Sequence, residues 1–387
     1  MATLLICIIY VTFISLGLPD SLLGSAWPVM RLELGAAIDF AGVISMIIAG
    51  STIISSLLSD RMNWRFGTGK VCAVSVGLTA VALMGFSLSG SLWQLCLWAI
   101  PYGLGAGAID AALNDYVALH YSARHMSWLH CFWGVGASIS PYVMGWFLTS
   151  GGNWRGGYRT ISIVQFILTL GLFLSLSVWR INQGQAKDAK RTAPVPLKKA
   201  ICIPGVWCVL LAFFGYCACE TTAGLWASSY LVESRGVNPE TAADFASLFY
   251  LGITFGRFLN GFIADRMGDR RMIRIGAAVI LAGCAMIALP LKLCALAGLV
   301  VVGFGCAPVY PSIIHLTPAN FGAENSQAII GIQMASAYAG STLMPPVFGL
   351  LARHVSMGLF PLYLGVFTLV LVVMTEKMNR LKDSLQK

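Results

Sequence analysis

Twelve long apolar runs fix what this 387-residue chain can fold into. Each is long enough to cross a hydrocarbon layer as a helix of about 20 residues. Their limits lie near 3–27, 38–59, 71–89, 92–119, 127–150, 158–179, 204–231, 243–264, 272–290, 294–316, 326–351 and 358–376. Charged residues make up only 11% of the chain and hydrophobic ones 57%. A soluble domain carries about 25% charge. A water-soluble fold of this size could not bury so much apolar surface. The chain therefore reads as an all-α membrane protein with twelve transmembrane helices. The first run, from Leu4 to about Trp27, has no basic flank and outruns a signal-peptide core, so it is expected to stay as the first span.

Basic residues orient the array. With both termini in the cytoplasm, eighteen Lys and Arg residues fall on the inner side, among them Arg61, Lys70, Arg124, Arg266, Arg270, Arg271 and Arg274. Six fall outside: Arg31, Arg155, Arg159, Arg235, Lys292 and Arg353. This follows the positive-inside rule and predicts a multi-pass protein of the cell membrane, an inner membrane in a two-membrane cell. The net charge of +9 is spread over short loops, so no nucleic-acid partner is expected. The one polar stretch, Arg180 to Lys199, separates six spans from six. It divides the chain into an N-terminal half (1–181), a cytoplasmic linker (182–199) and a C-terminal half (200–387), the linker's basic residues lying near anionic lipid headgroups.

The halves repeat. Asp20 and Gly24 match Glu220 and Gly224 at an offset of 200, as do Gly103 and Gly105 with Gly303 and Gly305. Asp60-Arg61-Met62 matches Asp265-Arg266-Met267 at 205, and Gly136, Pro141 and Gly145 match Gly340, Pro345 and Gly349 at 204. Four ordered sets near one offset mark a parallel duplication into two pseudo-symmetric six-helix halves.

The stretch Pro101–Tyr116, PYGLGAGAIDAALNDY, carries the polar residues that most need explaining. A carboxylate at the centre of a lipid-exposed helix costs about 2.5–3.5 kcal/mol on insertion scales. Asp110 must therefore face protein or water, and Asn114, one turn on, shares its face. Gly103, Gly105 and Gly107 let a neighbouring helix approach closely. An acid removed from bulk water can bind and release a proton during a transport cycle. Asp110 is the first candidate for proton coupling and Asp20 the second; Asp20 can instead satisfy backbone groups freed at Pro19. Candidate substrate contacts are Asn114, Glu220, His130, Trp133, Trp226 and Gln333. Amides and carboxylates supply directed partners for the polar groups of a solute, and aromatic rings pack on its apolar faces.

Gly261-Phe-Ile-Ala-Asp265-Arg266-Met-Gly268-Asp-Arg270-Arg271 resembles the loop motif between second and third helices of a half in the major facilitator superfamily. The first copy, Ser59-Asp60-Arg61-Met-Asn-Trp-Arg65-Phe-Gly67, departs from it in placing its glycine late. Within that superfamily the chain resembles the fucose/galactose/glucose proton symporter group. The resemblance rests on Gly17-Leu-Pro-Asp20, Gly105-Ala-Gly-Ala-Ile-Asp110-Ala-Ala-Leu-Asn114, Glu220-Thr-Thr-Ala-Gly224-Leu-Trp226 and Ala307-Pro308-Val-Tyr-Pro311. Asp110 stands where the group has a glutamate, and Asp115 where a proline often follows the asparagine.

The resemblance implies a secondary transporter that takes up a sugar or similar small polar solute with protons by alternating access. Sodium stays open as the coupling ion. Asp60, Arg61, Arg257, Asp265 and Arg266 are expected to gate the conformational change, with Arg257 as a partner of the Asp265 loop. A monomer without cofactor is expected. Efflux of drugs or amphiphiles is the first alternative, and a non-transporting sensor on the same fold the second. An enzyme is not expected, because no phosphate-binding loop ending in Lys-Ser/Thr, no HExxH and no Ser/His/Asp set is present. The 11 cysteines are scattered and show no metal-site spacing.

Overall fold

The computed structural model describes residues 2–37, 40–150, 153–179 and 194–385. The described residues form helices joined by short turns, with no strand among them. Twelve spans follow in order. The first is broken into Ala2–Gly17 and Leu22–Glu33, and the tenth into Lys292–Cys306 and Val309–His315. The others are Phe40–Phe66, Thr68–Leu88, Leu92–His120, Ala123–Thr149, Trp154–Leu174, Val206–Arg235, Pro239–Met267, Asp269–Ala288, Ala323–His354 and Phe360–Leu385. Among the described residues, nine of these are apolar and long enough to cross a membrane by composition alone. The remaining three, spans 5, 8 and 11, are 27, 29 and 32 residues long and carry more polar and charged side chains.

Several helices outrun the apolar limits read from the sequence. Span 2 continues past residue 59 to Phe66, and span 8 past 264 to Met267. Helical hydrogen bonding does not stop at the edge of the apolar segment, so Asp60, Arg61, Asp265 and Arg266 sit on final turns and not in loops. The following glycines, Gly67 and Gly268, stop both helices with φ of 81° and 77°, a region L side chains avoid.

By internal contacts the chain forms two compact units. The first comprises 1–116 and 129–195; the second comprises 196–387 together with 117–128. The sequence reading assigns that last segment to the N-terminal half. Most of the expected linker, 182–193, lies outside the described residues.

In the first unit, the second half of span 4 is enclosed by protein. Almost every residue from Tyr102 to Val117 is buried. A Cβ on Gly103 would meet the Ile48 carbonyl, one on Gly107 the Thr52 carbonyl and one on Gly105 the Ser75 carbonyl. These glycines therefore seat span 4 against the backbones of spans 2 and 3. Span 2 answers with hydroxyls: Thr52 donates to the Gly103 carbonyl at 3.2 Å, Ser56 to Gly107 at 3.3 Å, and Ser55 to Leu104. Each such bond between membrane helices contributes about 0.6–2 kcal/mol. Spans 1 and 5 meet in the same way, Gly17 against the Trp133 carbonyl and Gly136 against that of Ile14. The Ser140 hydroxyl donates to the Leu18 carbonyl, and Ser21 donates to Ala137 at 2.7 Å.

Candidate functional site

The break in span 1 positions Asp20. Between Gly17 and Leu22 the chain leaves the helix, and the Asp20 side chain is accessible there. One oxygen accepts from the Tyr102 hydroxyl at 2.7 Å and the other from the Trp133 indole N–H at 2.9 Å. Both donors to the carboxylate are neutral. Beside it, Thr79 donates to the Gln165 side-chain oxygen at 2.6 Å, and the Gln165 amide donates to the Ser15 carbonyl at 2.8 Å. A small pocket lined by Ser15, Pro19, Thr79, Tyr102 and Gln165 lies at this point.

Span 4 carries the second polar group of the first unit. The Asn114 amide donates to the Asp110 carboxylate at 2.8 Å and to its backbone carbonyl at 2.9 Å. The Asn114 side-chain oxygen lies 3.0 Å from His130 Nε2. The edge of the His130 ring meets Phe13, with centroids 5.5 Å apart. All three polar residues are buried. The expected face pairing of Asp110 and Asn114 is thus present, and His130 joins it from span 5.

In the second unit, Glu220 of span 7 pairs with Arg257 of span 8 at 3.3 Å. Arg257, expected beside the Asp265 loop, has its guanidinium on Glu220 instead; eight residues of helix carry it about 12 Å from Asp265 along the axis. The guanidinium also lies 5.8 Å from the centre of the Tyr310 ring. Gln333 is fully buried in span 11, and its oxygen accepts from Thr317 at 2.9 Å. Trp226 is partly exposed. Its indole donates to the Pro345 carbonyl at 2.9 Å and its ring packs edge-on against Phe348.

The motif acids end up in different settings. Asp60 accepts from the Val195 backbone N–H at 3.0 Å. Asp265 accepts from the Arg124 backbone N–H and from the Ser122 hydroxyl, each at 3.0 Å, at the start of span 5. The Arg124 side chain pairs with it at 3.5 Å and also donates to the Gly261 carbonyl. Arg61 and Arg266 are exposed. Among the described residues, no group of His, Cys, Asp or Glu side chains is arranged to hold a metal ion.

Tyr102 and Thr79 were not singled out from the sequence, and Tyr310 entered only as part of the Ala307–Pro311 stretch. Tyr102 and Tyr310 sit in apolar helices, where an aromatic ring looks like packing, and Thr79 has no distinctive neighbours. A proline or glycine beside each tyrosine (Pro101 and Gly103; Pro308 and Pro311) is the only local signal.

The Major Facilitator Superfamily profile matches residues 9–289 and 209–378. The chain belongs to this superfamily. It is 23% identical to the glucose/mannose transporter GlcP of Bacillus subtilis over 96% of this chain and 94% of that protein. It is 22% identical to bypass of stop codon protein 6 of Saccharomyces cerevisiae over 66% of this chain, spanning 56% of the yeast protein. Two structures of FucP, the E. coli fucose:proton symporter, superpose with TM-scores of 0.77 and 0.75 at 15% identity. They cover 96% and 97% of this chain and 98% of FucP. The protein is a multi-pass membrane transporter of two six-helix halves, and not an enzyme.

Proposed function

We propose that the protein takes up a sugar or a similar small polar solute together with protons, by alternating access. The observation that carries this reading is the Asp20 carboxylate, accessible and held between a tyrosine hydroxyl and a tryptophan N–H. A sugar hydroxyl can donate to such an acid while a ring of the pair stacks on its C–H face. The similarity to GlcP and to the fucose:proton symporter FucP supports the same solute class. Asp110, bridged by Asn114 to His130, is the acid assigned to proton binding. Asp60, Arg61, Asp265 and Arg266 are assigned to gating. Both termini are assigned to the cytoplasm on the distribution of basic residues.

Energetically, one proton moving inward down 100 mV gains about 2.3 kcal/mol. That is enough to concentrate a neutral solute about fifty-fold. The test is uptake of labelled hexoses, pentoses and deoxysugars into proteoliposomes, with and without an inward proton gradient, for wild type and Asp110→Asn. Gradient-driven accumulation of one sugar is expected, lost in the variant while exchange at equal pH survives. Absence of sugar transport under every condition rejects the reading.

A further inference from the structure

We propose that a groove between spans 9 and 12 of the second unit binds one anionic phospholipid of the inner leaflet. Its phosphate sits on Arg271 and Arg380, and one acyl chain lies along the groove. The choice of leaflet follows from the cytoplasmic assignment of the termini above; the site does not depend on the identity of the solute.

The apolar part comes first. Ile273, Ala277, Ala278 and Leu281 of span 9 and Val372 of span 12 line a groove of about 210 Å³. Two successive alanines leave that wall thin. On the same helices Ile275, Leu369 and Val373 are exposed, as apolar side chains facing lipid tails are. At one end the lining turns polar, with Thr375 and the pair Arg274 and Glu376. That pair is closed by two hydrogen bonds, from Arg274 Nε and Nη2 to the two Glu376 oxygens. An apolar slot that ends at charged groups has the outline of an acyl chain and its headgroup.

The charge at that end has a surplus of one sign. Asp269, Glu376 and Asp383 are already paired, with His315, Arg274 and Arg270. Arg271, Lys377 and Arg380 are exposed and form no ion pair among the described residues. Arg271 precedes Arg274 by three residues and Arg380 follows Glu376 by four, so each shares a helix face with the polar end of the groove. A phosphodiester complements two such arginines, because a guanidinium offers phosphate oxygens a planar fork of donors. A soluble anion has the charge but nothing to place in the apolar slot. A zwitterionic phospholipid has the chain but no net charge for the arginines. An anionic phospholipid meets both requirements.

Native mass spectrometry of the full-length protein, released from detergent and titrated with phosphatidylglycerol, tests this. One tightly retained molecule is expected. Each arginine near an anionic headgroup contributes about fivefold in affinity, so phosphatidylcholine of the same chains should bind about 25-fold more weakly. Arg271→Gln combined with Arg380→Gln should bring phosphatidylglycerol down to that level. Ala278→Trp fills the slot, leaves every charge in place and should weaken both lipids. Arg65→Gln combined with Lys70→Gln removes two exposed cations from the first unit and should change nothing. Thermal unfolding gives a second readout and shows without lipid that each variant is folded. Phosphatidylglycerol should raise the unfolding temperature of wild type and not that of the Arg271/Arg380 variant. Equal retention of the two lipids, or equal losses in the two charge variants, overturns the proposal, since the attraction is then a general one to a basic surface. Wild-type binding in Ala278→Trp, or displacement of the lipid by millimolar inorganic phosphate, also overturns it, since the arginines then hold a phosphate and the groove holds no chain.

Discussion

The side-chain oxygen of Asn114 lies 3.0 Å from Nε2 of His130. Because the Asn114 amide nitrogen is already committed to the Asp110 carboxylate, its oxygen must accept, and His130 must carry its proton on Nε2. One asparagine thus fixes both the orientation of an acid and the tautomer of an imidazole sixteen residues away.

Replacing Asn114 by leucine should break both ends at once. Buried polar groups left without partners cost about 1–3 kcal/mol each. The expected result is a KM for the transported solute raised at least tenfold, with a lower unfolding temperature in detergent. Unchanged exchange kinetics and unchanged stability in Asn114→Leu would contradict a working Asp110–Asn114–His130 chain.

The two glycines that bracket Ser140-Pro141 in span 5 should behave oppositely. A Cβ on Gly136 would run into the Ile14 carbonyl, and backbone cannot step aside. Gly136→Ala is expected to destabilise by about 1–3 kcal/mol through overpacking. Gly145 has nothing within 4 Å of its missing Cβ. There alanine gains helix propensity, so Gly145→Ala should be neutral or stabilising by up to about 1 kcal/mol. Thermal unfolding of the two variants side by side checks the sign of each.

The two tryptophans also separate. Trp133 donates to Asp20, whereas Trp226 donates to a backbone carbonyl and packs on Phe348, with Gly349 making room for its ring. Trp133→Phe removes a hydrogen bond to a charged group, worth about 1.5–3 kcal/mol, and should raise KM at least tenfold. Trp226→Phe should lower the unfolding temperature and leave KM close to wild type. A larger KM effect at Trp226 would restore it as a solute platform.

How far the sequence carries is visible in these same residues. Span number, duplication and the Asp110/Asn114 face follow from apolar length, fixed offsets and helical period, which are local properties. His130 and Trp133 were legible as polar or amphipathic groups in an apolar helix. Their partners were not, because the contacts join helices far apart in the chain and depend on how each helix is rotated. Arg257 shows the limit clearly. Its nearness in sequence to Asp265 suggested a shared network, but the rotation of span 8 sends it to Glu220, 37 residues earlier. Tyr102 was invisible for the opposite reason: nothing distinguishes a tyrosine that binds an acid from one that fills a core.

Asp265 offers a separation of charge from capping. Its carboxylate accepts the Arg124 backbone N–H and the Ser122 hydroxyl, which satisfies the first turn of span 5. The ion pair to the Arg124 side chain is longer, 3.5 Å, and its members are 44% and 32% exposed. Exposed pairs of this kind contribute little, whereas losing a cap typically costs about 1 kcal/mol. The cap should therefore dominate. Asp265→Asn retains an acceptor for the backbone N–H and should stay near wild-type stability, while Asp265→Ala should lose about 1 kcal/mol. Arg124→Ala keeps its own backbone N–H on Asp265 and should cost little. Thermal unfolding at low and high salt distinguishes the two contributions, since a charge effect fades with salt and a cap does not. If Arg124→Ala destabilises as much as Asp265→Ala, and salt erases both losses, the ion pair and not the cap holds the start of span 5.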